Sequence, residues 1–142
     1  MRRRDRNLLT LLAVLALLGT AVHLQLRHER AHALDPLTTI DTASVGRIEV
    51  ACRGCETRRF ARIDGQWRML EPREGAANAE AIANLLAIAH APVRYRHAAG
   101  DIDPSRVGLA PPQASLRLDD TTITFGGTDA IHGDRYVASG DR

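Results

Sequence analysis

The chain has 142 residues, with 19 basic against 17 acidic side chains and a formal net charge of +2; that length fits one ordinary domain and a small appendage. Every basic residue is arginine, so Schiff-base chemistry, a phosphate-loop lysine and a lysine general base are excluded. Aromatic residues make up only 4%, which argues against base stacking on aromatic platforms.

The basic surplus is local. Residues 1–26 carry Arg2, Arg3, Arg4 and Arg6 against Asp5, net +3, whereas residues 27–142 carry 15 arginines against 16 acids, net −1. An apolar run follows the arginines from Leu8 to Val22 and continues through His23-Leu24-Gln25-Leu26, with no formal charge. As a helix at about 1.5 Å per residue, residues 8–26 would reach roughly 28 Å, close to the hydrocarbon thickness of a bilayer. Residues 1–26 are therefore expected to be a cytoplasmic arginine cluster and a transmembrane signal anchor. Ala31-His32-Ala33 has the small-x-small form of a cleavage site. It lies beyond Arg27, Glu29 and Arg30, and charges there favour an uncleaved anchor. The arginine asymmetry puts the amino terminus in the cytoplasm and the remainder outside it. In a bacterium this means a single pass through the inner membrane with a periplasmic domain.

Residues 27–36 read as a polar, partly helical stalk, and residues 37–142 as an exported α+β domain. Arg47-Ile48-Glu49-Val50-Ala51 and Arg58-Arg59-Phe60-Ala61-Arg62-Ile63 alternate as strands. Asp64-Gly65 is a hairpin signal into a third strand over Gln66–Leu70, with Trp67 and Met69 on its buried face. Glu71-Pro72-Arg73-Glu74-Gly75 breaks the run, and Asn78 then caps a helix whose Ile82, Leu85, Leu86 and Ala89 share one face. His90-Ala91-Pro92 ends it, and Val93-Arg94-Tyr95-Arg96 alternates as a further strand. Asp103-Pro104-Ser105-Arg106 predicts one helical turn. Ala114–Leu118 and Thr121–Phe125 form a hairpin across Asp119-Asp120, and a last strand falls near Tyr136-Val137. Together these elements predict an antiparallel meander sheet with one main amphipathic helix packed on one face, preceded by the transmembrane helix.

Trp67-x-Met69-x-Glu71-Pro72, then Val107-Gly108-Leu109-x-Pro111-Pro112, then Phe125-Gly126 and Tyr136-Val137 form an ordered set over roughly residues 37–138. It resembles the bacterial family called domain of unknown function 4340. The resemblance implies an exported domain behind one amino-terminal apolar helix, in some members encoded beside ABC-transporter components of the gliding type. It implies architecture and address, and no catalytic residues. Two departures stand out: the chain stops soon after Tyr136-Val137, and the cysteine pair is not part of the pattern. Each motif residue also has a structural reading. Gly108, Pro111 and Pro112 suit a chain leaving a short helix for a strand, Leu109 is a core residue of the motif, and Trp67 is the largest core side chain.

Cys52-Arg53-Gly54-Cys55 is the one chemically pointed motif. As a disulfide across a two-residue hairpin turn, it would hold its Cα atoms roughly 5.5 Å apart, and an exported address favours oxidation. A redox-active pair or a labile thiol pair is the other reading. His28 and His32 belong to the stalk, and His90, His97 and His132 are scattered, so no metal set is assembled. The serines at 44, 105, 115 and 139 lack a nucleophile elbow, and Asp101-x-Asp103 and Asp119-Asp120 fall where caps and turns use aspartate. Arg58, Arg59, Arg62, Arg94 and Arg96 read as a solvated face rather than a nucleic-acid stripe. The expectation is a non-enzymatic accessory subunit without cofactor or metal that binds the inner membrane through residues 8–26 and a protein partner, plausible in an ABC-transporter-associated complex, and no nucleic acid. Its sheet edges and Ala-rich helix are the candidate contact surfaces. A thiol-dependent redox protein using Cys52 and Cys55, or a small-ligand-binding envelope module, are the alternatives.

Overall fold

A computed structural model describes residues 11–24, 34–98 and 100–140. The chain divides into two units, Met1–Leu34 and Asp35–Arg142. In the first, residues 11–24 are helical (α1). Its leucines and valines are exposed around the helix, from 54% at Val14 to 71% at Leu17. The Thr20 hydroxyl donates to the Ala16 carbonyl at 2.8 Å, so its hydrogen bond is made within the helix. No helix among the described residues is long and apolar enough to cross a membrane. At about 1.5 Å per residue, residues 11–24 span only roughly 21 Å. Residues 8–10 and 25–26 of the expected span, Ala31-His32-Ala33 and most of the stalk lie outside the described residues.

The second unit is α+β. Its elements are β1 (Arg47–Cys52), β2 (Arg58–Ile63), β3 (Gln66–Glu71), β4 (Gly75–Ala76), α2 (Ala79–Ala87) running into a 3-10 turn (Ile88–His90), then β5 (Ala114–Leu118), β6 (Thr121–Thr128) and β7 (Arg135–Ser139). The seven strands form one sheet in the order β4-β3-β2-β1-β5-β6-β7, and every neighbouring pair is antiparallel. The first four strands thus step outward from β1, and α2 with the loop after it returns the chain to the other side of β1.

Local chemistry sets the turns. Asp64 and Gly65 have φ of 51° and 77°, the two left-handed positions that a tight β2–β3 hairpin requires. Asp119, at φ 50°, turns β5 into β6, and its carboxylate accepts from the N–H groups of Gly46 at 3.1 Å and Arg47 at 2.8 Å. One side chain therefore fastens the β5–β6 turn to the start of β1. The Asn78 side chain accepts from the Ala81 N–H at 3.0 Å, the expected N-cap.

Strand alternation then builds the core. Ile48 stands opposite Phe60 on one side and Leu118 on the other, and Leu116 stands opposite Ile123. Together with Val45 and the helical Ile82 and Ala89 they form the buried cluster. Fully burying each large aliphatic side chain is worth about 1.5–3 kcal/mol. Leu85, Leu86, Trp67 and Met69 pack against this cluster while remaining half-buried, and the largest fully buried side chains are Ile48, Leu116, Leu118 and Ile123. Trp67 is therefore a flank of the core rather than its centre.

Residues 93–96 do not form a strand; only an isolated bridge joins Pro36 to Pro92. Around it Leu37 N–H donates to Ala91 O and Val93 N–H to Asp35 O, both at 2.9 Å. The two prolines, which have no N–H, occupy the pair position that needs none. Thr38 adds bonds from its N–H at 2.8 Å and its hydroxyl at 2.9 Å to Ala89 O. The Arg96 guanidinium takes the carbonyls of Pro36 and Leu37. Residues 35–40 thus form a strap over the end of α2. Residues 34–40 carry no helix, so the part of the expected stalk that is described, residues 34–36, is not helical and ends in the bridge at Pro36. Residues 104–108 make hydrogen-bonded turns rather than a regular helix.

Candidate functional site

Two places gather the residues singled out by the sequence. The first surrounds the cysteines. Cys52 ends β1 and Cys55 lies in the connection to β2; both are exposed. Their sulfurs are at disulfide distance and their Cα atoms 5.4 Å apart. Gly54 has φ 80°, and Cys55 N–H donates to Cys52 O at 3.3 Å, so Arg53-Gly54 are the central residues of a β-turn. This turn is not the β1–β2 hairpin itself. The last β1–β2 pair is Val50 with Arg58, and Cys52 pairs instead with Ala114 of β5. The connection is longer than a two-residue hairpin, and it leans toward β5.

Arg53 makes that lean specific. Its N–H donates to Gln113 O at 2.9 Å, and its Nη2 to Pro111 O at 3.1 Å. Gln113 in turn donates its N–H to Phe125 O at 2.9 Å and accepts from Arg135 Nη2 at 3.2 Å. Beside it, the loop through Gly108 and Leu109 lies on β6: Gly127 N–H donates to Val107 O at 2.7 Å. A Cβ on Gly108, which has φ +71°, would stand 3.1 Å from Gly127 N, and one on Gly126 would stand 2.4 Å from Val107 O. Close backbone approach therefore accounts for both glycines. Leu109 is half-buried and forms an isolated bridge with Pro112, which is exposed, and Pro72 is exposed at a bend. Of the motif residues after Val107, Pro111 meets the cysteine turn through Arg53 and Gly108, Leu109 and Gly126 pack together beside it, while Trp67, Met69 and Pro72 belong to β3 and its exit. Gln113 and Arg135 carry no local signal in the sequence; their role comes from contacts across the fold.

The second place is the sheet face opposite the core. Arg117, Glu49 and Arg59 stand opposite one another across β5, β1 and β2, and Glu71 follows on β3. The result is a row of alternating charge. Arg59 bonds Glu49 at 3.0 Å and Glu71 at 2.9 Å. The Glu49 hydrogen bond, then the Glu71 charge, raises the guanidinium's pKa above its ordinary value. A depression of about 610 Å³ opens on this face, with Arg47, Arg59, Arg117, Leu70 and Asp120 among its walls. Arg117 Nε donates to Asp119 O at 2.9 Å, and acids on the same walls offset the arginines. These pairs are solvated and hold little free charge for an anion.

Three of the other arginines read as a solvated face have partners of their own. Arg62 donates to Ala43 O at 3.0 Å, Arg94 pairs with Asp134 at 3.2 Å, and Arg96 serves the strap. The Ser105 hydroxyl donates to Asp103 at 2.7 Å. That bond, ahead of the Ser105 N–H, holds the Asp103 carboxyl below its ordinary range. The His132 N–H likewise lowers the Asp129 carboxyl; His132 Nδ1 lies 3.1 Å from the same oxygen. His90 Nε2 meets Ile40 O at 2.9 Å. These contacts are turn caps and ties between segments. Among the described residues, no three His, Cys, Asp or Glu side chains are grouped to hold a metal ion. Compared with family models, with curated proteins and with solved structures, the chain matches none.

Proposed function

We propose that this chain is a single-pass envelope protein of the bacterial inner membrane whose periplasmic domain, Asp35–Arg142, acts by binding another protein. The observation that carries the reading is α1: an exposed apolar helix, its one hydroxyl satisfied internally, directly behind the arginine cluster at residues 2–6. Such a helix is unfavourable in water and suited to lipid. The uncharged run from Asn7 to Leu26 supplies the length a span needs.

A protein partner is supported by the domain's make-up. Its cores and caps are satisfied, with no unpartnered buried side-chain polar atom among the described residues, and its distinctive residues serve packing and turns. Strand β7 is the last of the sheet, and terminal strands offer backbone groups to an incoming strand. The resemblance to domain of unknown function 4340 suggests an ABC-transporter-associated complex as the setting. Two measurements test the reading. A phosphatase reporter fused after Arg142 is expected to be active only outside the cytoplasm, and the full chain, purified in mild detergent at native expression, is expected to retain a stoichiometric partner. A fusion that is expressed but has no phosphatase activity overturns the topology, and a chain recovered alone overturns the partner.

A further inference from the structure

Thiol–disulfide exchange requires an attacking thiolate to reach a sulfur, so access decides which disulfides react in a folded protein. Cys52 and Cys55 are both exposed. Their turn lies beyond the β1–β2 ladder, which ends at Val50 and Arg58, so opening it breaks no bond of that ladder. Cys52 itself is held in place through its backbone pairing with Ala114. Arg53, between the cysteines, is engaged elsewhere. It holds Gln113 O at 2.9 Å through its N–H and Pro111 O at 3.1 Å through its guanidinium. Gln113 continues the chain of bonds to Phe125 O and Arg135. The closed Cys52–Cys55 ring restricts the backbone that aims Arg53 at β5.

We propose that Cys52 and Cys55 form an exchange site that an external dithiol reaches in the folded protein, and that its redox state governs how firmly the 52–55 turn holds the Pro111–Gln113 segment. In the first step a thiolate of the external dithiol attacks one sulfur of the pair. A mixed disulfide forms and the other cysteine leaves as a thiolate. The second thiol of the reductant then attacks its own sulfur in the mixed disulfide and displaces the remaining cysteine. Two electrons pass to the pair, which ends as two thiols after proton uptake, and the external dithiol ends as a disulfide. With the ring open, the turn regains backbone freedom and Arg53 releases its two carbonyls more often.

The test uses the full chain in detergent micelles with dithiothreitol as the dithiol. Reduction is followed by rapid alkylation and mass spectrometry at several urea concentrations below the unfolding transition. The expected rate is proportional to dithiothreitol and constant in urea to within about twofold, as for an exchange that needs no unfolding. Hydrogen exchange at the Arg53 amide is expected to rise roughly tenfold or more on reduction, from the loss of a short-ring constraint, while the Ile48 amide is unchanged. A Cys52→Ser/Cys55→Ser variant should match the reduced protein at Arg53. A rate that climbs with urea in step with global unfolding overturns the proposal, as does a pair inert until unfolding, or an Arg53 amide equally protected in both states. If the double variant does not fold, the readouts on the unaltered chain decide alone.

Discussion

Gly126 gives the sharpest test of how the motif loop is seated. A methyl group there would stand 2.4 Å from Val107 O, 3.0 Å from Leu109 Cγ and 3.2 Å from Leu109 Cδ2. The first neighbour is backbone and cannot swing aside. Moving it also disturbs the 2.7 Å bond from Gly127 N–H to the same oxygen. Overpacking of this kind costs about 1–3 kcal/mol, and the strained hydrogen bond about 1 more, so Gly126→Ala should destabilise the domain by about 2–4 kcal/mol. For a domain of this size that is a fall in Tm of about 10 °C or more. Gly46→Ala is the control, because its new methyl group would meet only Asp119 Oδ1, at 3.8 Å. Urea unfolding of the full chain in micelles, followed by Trp67 fluorescence, measures both. A change under about 0.5 kcal/mol at Gly126, or an equal loss at Gly46, would refute the reasoning.

Two other outcomes follow from the caps. Asn78→Ala removes the side-chain acceptor of the Ala81 N–H and should cost about 1 kcal/mol in the same urea experiment, with Asn78→Asp restoring most of it. Asp103 and Asp129 are both held below the ordinary value of 3.8, so their ionised forms favour the fold. That contribution is complete above the unfolded value and is lost as pH falls through the lowered folded values. Tm should therefore be level above about pH 5 and decline below about pH 4. An Asp103→Asn/Asp129→Asn variant should show a shallower acid decline; an unchanged slope would remove these two carboxylates as its source.

What the sequence disclosed was local. Asp64-Gly65 reads as a hairpin because two adjacent residues that tolerate positive φ are enough to fix a tight turn. Asn78 reads as a cap because its acceptor bond spans three residues. Alternation located β1, β2, β3, β5, β6 and the middle of β7, since burial on one sheet face imposes a period of two. Strand β4 escaped detection: Gly75-Ala76 is too short to show a period, and its pairing is dictated by Arg68 and Met69 on β3. Val93–Arg96 shows the opposite failure, for its alternation is real, but the segment it meets carries Pro36 and ends in a single bridge. The cysteine pair was legible in spacing, with a Cα separation of 5.4 Å, but its turn is not the expected two-residue hairpin, because the β1–β2 ladder ends at Val50 and Arg58. Its attachment to Gln113, some 60 residues away in the chain, was not, because such contacts depend on which strands become neighbours.

The strap also bears on where the domain tolerates insertion. The compact unit begins at Asp35, and backbone bonds already hold Asp35, Leu37 and Thr38 to the end of α2, well before β1 opens at Arg47. These bonds commit the segment from Asp35 to the domain before the sheet begins. An insertion at Leu37 or Thr38 would therefore unfasten the helix end that the strap secures.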